Sequence, residues 1–178
     1  MAWRVGRKGM ELIWQELTFG IPDGHALGII AIRLLAAVIL GALIGIERQS
    51  AGKAAGVRTH MLVTLGSAVF LVACGRYGIG NDGMSRVIQG IATGIGFIGA
   101  GTIIKLESTH DVKGLTTSAG IWMAAAIGIT VGLGAVGLAV IATVLALIIL
   151  NVTTRLDYWI NKRYPRPAGP KVNDSTVG

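Results

Sequence analysis

At 178 residues, 52% hydrophobic and only 14% charged, the chain has a mean hydropathy of +0.66. Soluble domains carry roughly 25% charged residues, so this composition, with its apolar residues in long blocks, excludes an ordinary water-soluble domain and points to an integral membrane protein. The net charge of +7 is spread among short loops and a tail, which favours anionic lipid headgroups as a partner over nucleic acid.

Residues 1–25 carry Arg4, Arg7 and Lys8, but no apolar core comes directly after them, so no cleavable signal peptide is expected. Glu11–Phe19 mixes Leu12, Ile13, Trp14, Leu17 and Phe19 with polar residues and predicts a short helix along the membrane surface. Pro22 and Asp23 stop it and cap the first span. Five spans are expected, at about 26–46, 59–75, 87–104, 115–133 and 136–152, giving an all-α, multi-pass transmembrane bundle. Residues 153–178 form a basic tail with Tyr158, Trp159 and Tyr164 as interface anchors and three prolines near its end. The single Cys74 excludes an internal disulfide or a thiolate cluster.

The third span, Val87–Ile104, carries Gly90, Gly94, Gly96, Gly99 and Gly101 and no charge. Eighteen residues make a helix of roughly 27 Å, near the thickness of a bilayer core. In lipid such glycines let neighbouring helices approach closely. At about 100° per residue, Gly90, Gly94 and Gly101 share one sector and Gly96 and Gly99 lie opposite, so this helix is expected at the centre of the bundle, gripped on both sides. Gly94-Ile-Gly96-Phe-Ile-Gly99 also fits a dinucleotide fingerprint, yet it lies inside an apolar run with no acid at the required spacing. The first span offers a second small-residue pair, Gly41 and Gly45.

With an odd number of spans the termini lie on opposite sides. Arg48, Lys53, Arg58, Lys105, Lys113, Arg155, Lys162, Arg163, Arg166 and Lys171 share one side, against Arg4, Arg7, Lys8, Arg76 and Arg86 on the other. The positive-inside rule puts the larger set in the cytoplasm, the N-terminus outside and the C-terminus inside. Helix alternation then gathers Glu47, Arg48, Arg58, Thr59, Lys105, Thr116, Thr117 and Ser118 at the cytoplasmic face. Glu47 opposes its helix dipole and requires a partner, either Arg58 or the N–H groups that open span 2 or span 4. Both a structural ion pair and a ligand site answer that requirement.

Arg33 lies about 10 Å inside the first span, facing either the bundle interior or, by snorkelling, the outer headgroups. Gln89 and Thr93 add a thin polar stripe to span 3, suited to hydrogen bonds between helices. Glu107-x-x-His110 is half of a di-iron spacing without its other half. Glu47 is the only carboxylate in or at the immediate ends of the spans, a poor supply for magnesium, so whether any metal binds stays open. No nucleophile–base pair suggests catalysis, and no cofactor is expected.

Three stretches, GALIGIERQSAGKAAGVRTHMLVTLGSAVF (41–70), GIGFIGAGTIIK (94–105) and KGLTTSAGIWMAAAIGITVGLG (113–134), closely resemble the MgtC/SapB family of bacterial membrane proteins. The likeness covers about residues 30–150 and places family motif positions at Arg33, Glu47, Arg48, Gly56, Arg58, Thr59, the glycines of 94–101 and Gly114 to Thr117. It implies a multi-pass inner-membrane domain linked to magnesium limitation and, in some pathogens, to survival inside host cells. It also implies control of other membrane machinery, including the ATP synthase. Longer members add a C-terminal ACT-like domain, where this sequence has a short basic tail. The residues and the resemblance together suggest two functions: a regulator acting through contact with other membrane proteins or with itself, or a transporter of magnesium or another ion.

Overall fold

The computed structural model describes residues 10, 11, 13, 14, 23–105 and 112–163. The chain folds as five main helices: α1 (Gly24–Ser50), α2 (Val57–Arg76), α3 (Asn81–Ala100), α4 (Leu115–Gly132) and α5 (Val136–Arg163). Between α3 and α4 stands a two-residue antiparallel ribbon, β1 (Ile104–Lys105) against β2 (Val112–Lys113), pairing Ile104 with Lys113 and Lys105 with Val112. The expected surface helix falls largely, and the Glu107–His110 pair and the tail beyond Arg163 wholly, outside the described residues.

The bundle is built inside out relative to a soluble protein. Large apolar residues such as Ile32, Leu35, Leu62, Phe70 and Phe97 are exposed, while Gly41, Gly45, Thr64, Ser67, Ala68, Gly128, Gly132 and Thr143 are buried. In water that arrangement would expose far too much apolar surface. In lipid, where apolar burial no longer drives association, helices join by close backbone approach and interior hydrogen bonds. Among the described residues three helices, α1, α2 and α4, are long and apolar enough to cross a membrane, and Val136–Val152 of α5 is a shorter apolar stretch. The result is an all-α membrane bundle.

Backbone proximity explains the packing. A Cβ at Gly45 would stand 2.5 Å from Val57 Cα, and one at Gly41 2.8 Å from the His60 carbonyl oxygen. These two glycines therefore set the distance between α1 and α2. On α4, a Cβ at Gly128 would meet Ser67 Cβ at 2.8 Å and one at Gly132 would meet Leu71 Cβ at 2.6 Å. With Gly120 and Ala124 they form a buried small-residue row at four-residue spacing, one face of a helix. Ala139 and Ala146 bring α5 onto the cluster of Ala37, Leu40, Ile44, Ile127 and Val131.

The centre of the bundle is therefore α4, and the expectation of a central third helix is corrected. Gly99 is the only buried residue of α3, where a Cβ would lie 2.5 Å from Ser118 Oγ. Cβ atoms at Gly90, Gly94 and Gly96 would meet nothing, and Gly101 is exposed. Glycine density records how closely a neighbour is allowed to approach, not whether this chain supplies one.

The bounds of α3 also shift, from 87–104 to Asn81–Ala100. At its end the Thr102 hydroxyl donates to the Gly99 carbonyl at 2.8 Å, and Thr102 N–H also donates to that oxygen at 3.0 Å. The β-branched pair Ile103-Ile104 then leads into the ribbon. Helix α5 runs past the expected end at 152 to Arg163, because neither Gly nor Pro interrupts the sequence before Pro165.

Candidate functional site

The C-terminal end of α1, the start of α2 and the start of α4 converge at one end of the bundle. Asp23 opens α1 at the far end, its carboxylate accepting from Ala26 N–H at 3.3 Å, and the helix then runs uninterrupted to Glu47 and Arg48. The chain turns back through residues 51–56, where Lys53 N–H donates to the Arg48 carbonyl at 3.0 Å and Gln49 Oε1 accepts from Val57 N–H at 3.4 Å. Gly114 starts α4 at φ +97°, a left-handed conformation that suits glycine. A Cβ there would also collide with the Thr102 carbonyl.

Arg48 is the largest fully buried side chain, 1% exposed. Its Nε and Nη2 donate to the two oxygens of Glu47, the second at 2.7 Å, as a bidentate pair. The partner of Glu47 is thus its own neighbour, not Arg58, which lies exposed, and not a helix-opening N–H group. A buried guanidinium needs such a fork, since an unpaired charge in low dielectric is costly.

His60, 0% exposed, stands beside this pair. Its Nδ1 lies 2.9 Å from the Gly56 carbonyl oxygen, so Nδ1 carries the proton and donates. Thr64 Oγ1 in turn donates to the His60 carbonyl at 3.0 Å. Gly120 of α4 backs both side chains: a Cβ there would be 3.3 Å from His60 Nε2 and 3.7 Å from Arg48 Cδ. Among the described residues, two buried nitrogens, Arg48 Nη1 and His60 Nε2, have no hydrogen-bond partner.

The structure scatters the other residues that the sequence singled out. Thr117 is buried at this end, Thr59 and Ser118 are half-buried, and Thr116 is exposed. Lys105 pairs with Val112 in the ribbon. Arg33 is half-buried, and its Nη1 donates to the Gly132 carbonyl at 3.4 Å. It caps the C-terminus of α4, where carbonyls lack helical partners. Gln89 and Thr93 are exposed, and Thr93 Oγ1 donates to the Gln89 carbonyl within the same helix at 2.9 Å, so the thin polar stripe joins no second helix.

Sequence reasoning gave no role to His60 or to Gly120. The available signal was the row Gly120, Ala124, Gly128, Gly132, which predicts a close neighbour along α4. A histidine one turn into an apolar helix is the polar residue such a neighbour must cover. Among the described residues no three His, Cys, Asp or Glu side chains gather to hold a metal ion.

An inside-out helical bundle with a buried ion pair at one end defines a multi-pass membrane protein. Its sequence matches the model of the MgtC family over residues 34–159, and the chain belongs to that family. YhiD of Escherichia coli K12, named as a candidate magnesium transporter, is 42% identical over 143 residues, 75% of this chain and 65% of the relative. SrpB of Synechococcus elongatus is 39% identical over 159 residues, 82% of this chain and 87% of SrpB. MgtC of Salmonella typhimurium is 43% identical over 116 residues, 65% of this chain but only 48% of MgtC. The chain thus spans about half the length of MgtC and just under two thirds of YhiD. No solved structure matches it.

Proposed function

We propose that this protein is an inner-membrane regulator of the response to magnesium limitation that acts through lateral contact with other membrane proteins or with further copies of itself. The observation that carries this reading is the state of Glu47. Residues 24–76, 83–105 and 115–152 contain no other carboxylate, and both oxygens of Glu47 are engaged by Arg48. Magnesium takes oxygen ligands in near-octahedral geometry, whereas these segments bury a guanidinium group, that of Arg48. The link to magnesium rests on the name of the E. coli K12 relative YhiD and on the family resemblance.

Lateral contact is supported by an open, apolar groove of about 590 Å³ between α2 and α3, with Gly66, Phe70, Gly90 and Gly94 in its walls. The glycines in these walls permit close approach by another helix. The excess of Lys and Arg on one set of loops supports an N-terminus outside and a cytoplasmic C-terminus. The protein has no catalytic role in this reading. The bilayer and its anionic lipids are its constant partners.

A second reading, transport of magnesium or another ion, is favoured by the name of the E. coli relative and by Arg33 and the polar end of the bundle. Purified protein in liposomes separates the two. The regulator reading expects magnesium flux no greater than in empty liposomes, together with a defined membrane-protein neighbour captured by crosslinking in native membranes. Robust flux from the wild-type chain would overturn it.

A further inference from the structure

We propose that Arg48 Nη1 and His60 Nε2 hold one internal water molecule between them, in the room that glycine at position 120 provides. The two nitrogens are the buried polar side-chain atoms that lack a partner among the described residues, and their side chains meet at the same point of α4. Nη1 is the guanidinium nitrogen on the Cδ side, and Cδ is the Arg48 atom nearest the position of a Gly120 Cβ. The opposite edge of the guanidinium, Nε and Nη2, is taken by Glu47.

The two atoms are of opposite character. Nη1 can only donate. With Nδ1 donating to the Gly56 carbonyl, the neutral imidazole presents Nε2 as an acceptor. The guest must therefore accept from arginine and donate to histidine. Arg48 is already neutralised by Glu47, so the site asks for no net charge. A metal cation would meet the guanidinium, and an anion would meet the Nε2 lone pair. Water satisfies both demands, and two polar partners suffice for a buried water. The bridge links the end of α1 to the start of α2 against α4, at the end where the family motif residues gather.

A serine hydroxyl at position 120 tests this directly. Its Cβ would stand 3.3 Å from Nε2, which brings Oγ within hydrogen-bonding reach, to donate to His60 and accept from Arg48 as the water does. Gly120→Ala fills the same room and offers neither bond. Both variants are compared in nanodiscs by thermal unfolding, in the wild-type and His60→Phe backgrounds. Gly120→Ser should unfold a few degrees above Gly120→Ala, the reverse of their helix propensities, and the gap should vanish with His60→Phe. Independently of these variants, NMR of wild-type protein with ¹⁵N-labelled histidine should show an unprotonated Nε2 accepting a hydrogen bond, with magnetisation transfer from a slowly exchanging water. Alanine equal to or better than serine, a gap that persists without His60, or a His60 ring with no water contact would each overturn the proposal.

Discussion

Replacing Glu47 with Gln keeps the shape of the side chain and removes its charge, so it isolates what the carboxylate does for Arg48. The Arg48 side chain is 2% exposed and its bidentate partner is the adjacent carboxylate, whose side chain is 14% exposed. Removing one member of a buried pair leaves the other charge uncompensated, at a cost of about 3–5 kcal/mol. For a chain of this size that corresponds to a fall in Tm on the order of 10 °C. Arg48→Met should lose less, because Glu47 is the member nearer water and can be hydrated or take up a proton. The double variant Glu47→Gln/Arg48→Met should recover much of the loss, since an apolar replacement of a buried pair is often neutral. Thermal unfolding in nanodiscs, followed by circular dichroism, measures all three. A Glu47→Gln protein within about 1 kcal/mol of wild type, or a double variant no better than that single one, would refute the claim that the pair is buried and mutually required.

Gly45→Leu should prevent α1 and α2 from meeting and abolish the monodisperse peak in size-exclusion chromatography, because its Cβ would strike Val57 Cα. Gly94→Leu, whose Cβ meets nothing, should leave that peak intact and reduce only crosslinking to a membrane partner. Gly114→Ala should destabilise by more than about 1 kcal/mol, through a positive φ and the nearby Thr102 carbonyl, as seen by a lower unfolding midpoint. Asp23→Ala should cost about 0.5–2 kcal/mol by removing the N-cap of α1, with faster amide exchange confined to residues 24–27.

Much of this architecture was legible in the sequence because lipid imposes a strict rule: long apolar segments must be helices that satisfy their own backbones. Helix order, the small-residue pair Gly41 and Gly45, and the approach of Gly99 to another helix all come from that rule. The identity of the central helix did not, because the glycines of α3 advertise closeness to something, and of α3 and α4 it is α4 whose small-residue row the rest of the chain covers. The partner of Glu47 was hidden for a different reason. Adjacent residues on a helix point about 100° apart, so pattern reasoning discounts them, yet the long arginine side chain folds back across that angle. His60 escaped because its role depends on Gly120, a residue with no side chain to announce the contact.

Helices α1, α2 and α4 approach one another backbone to backbone at their glycines, whereas the one fully buried residue of α3 is Gly99, where it meets Ser118. From Gly99 to Asn81 the helix extends about 27 Å, and no residue of that stretch before Gly99 is fully buried. Tilting is one way a helix accommodates a change in bilayer thickness, so changing the acyl-chain length of the surrounding lipid should move the far end of α3 more than the glycine-packed helices.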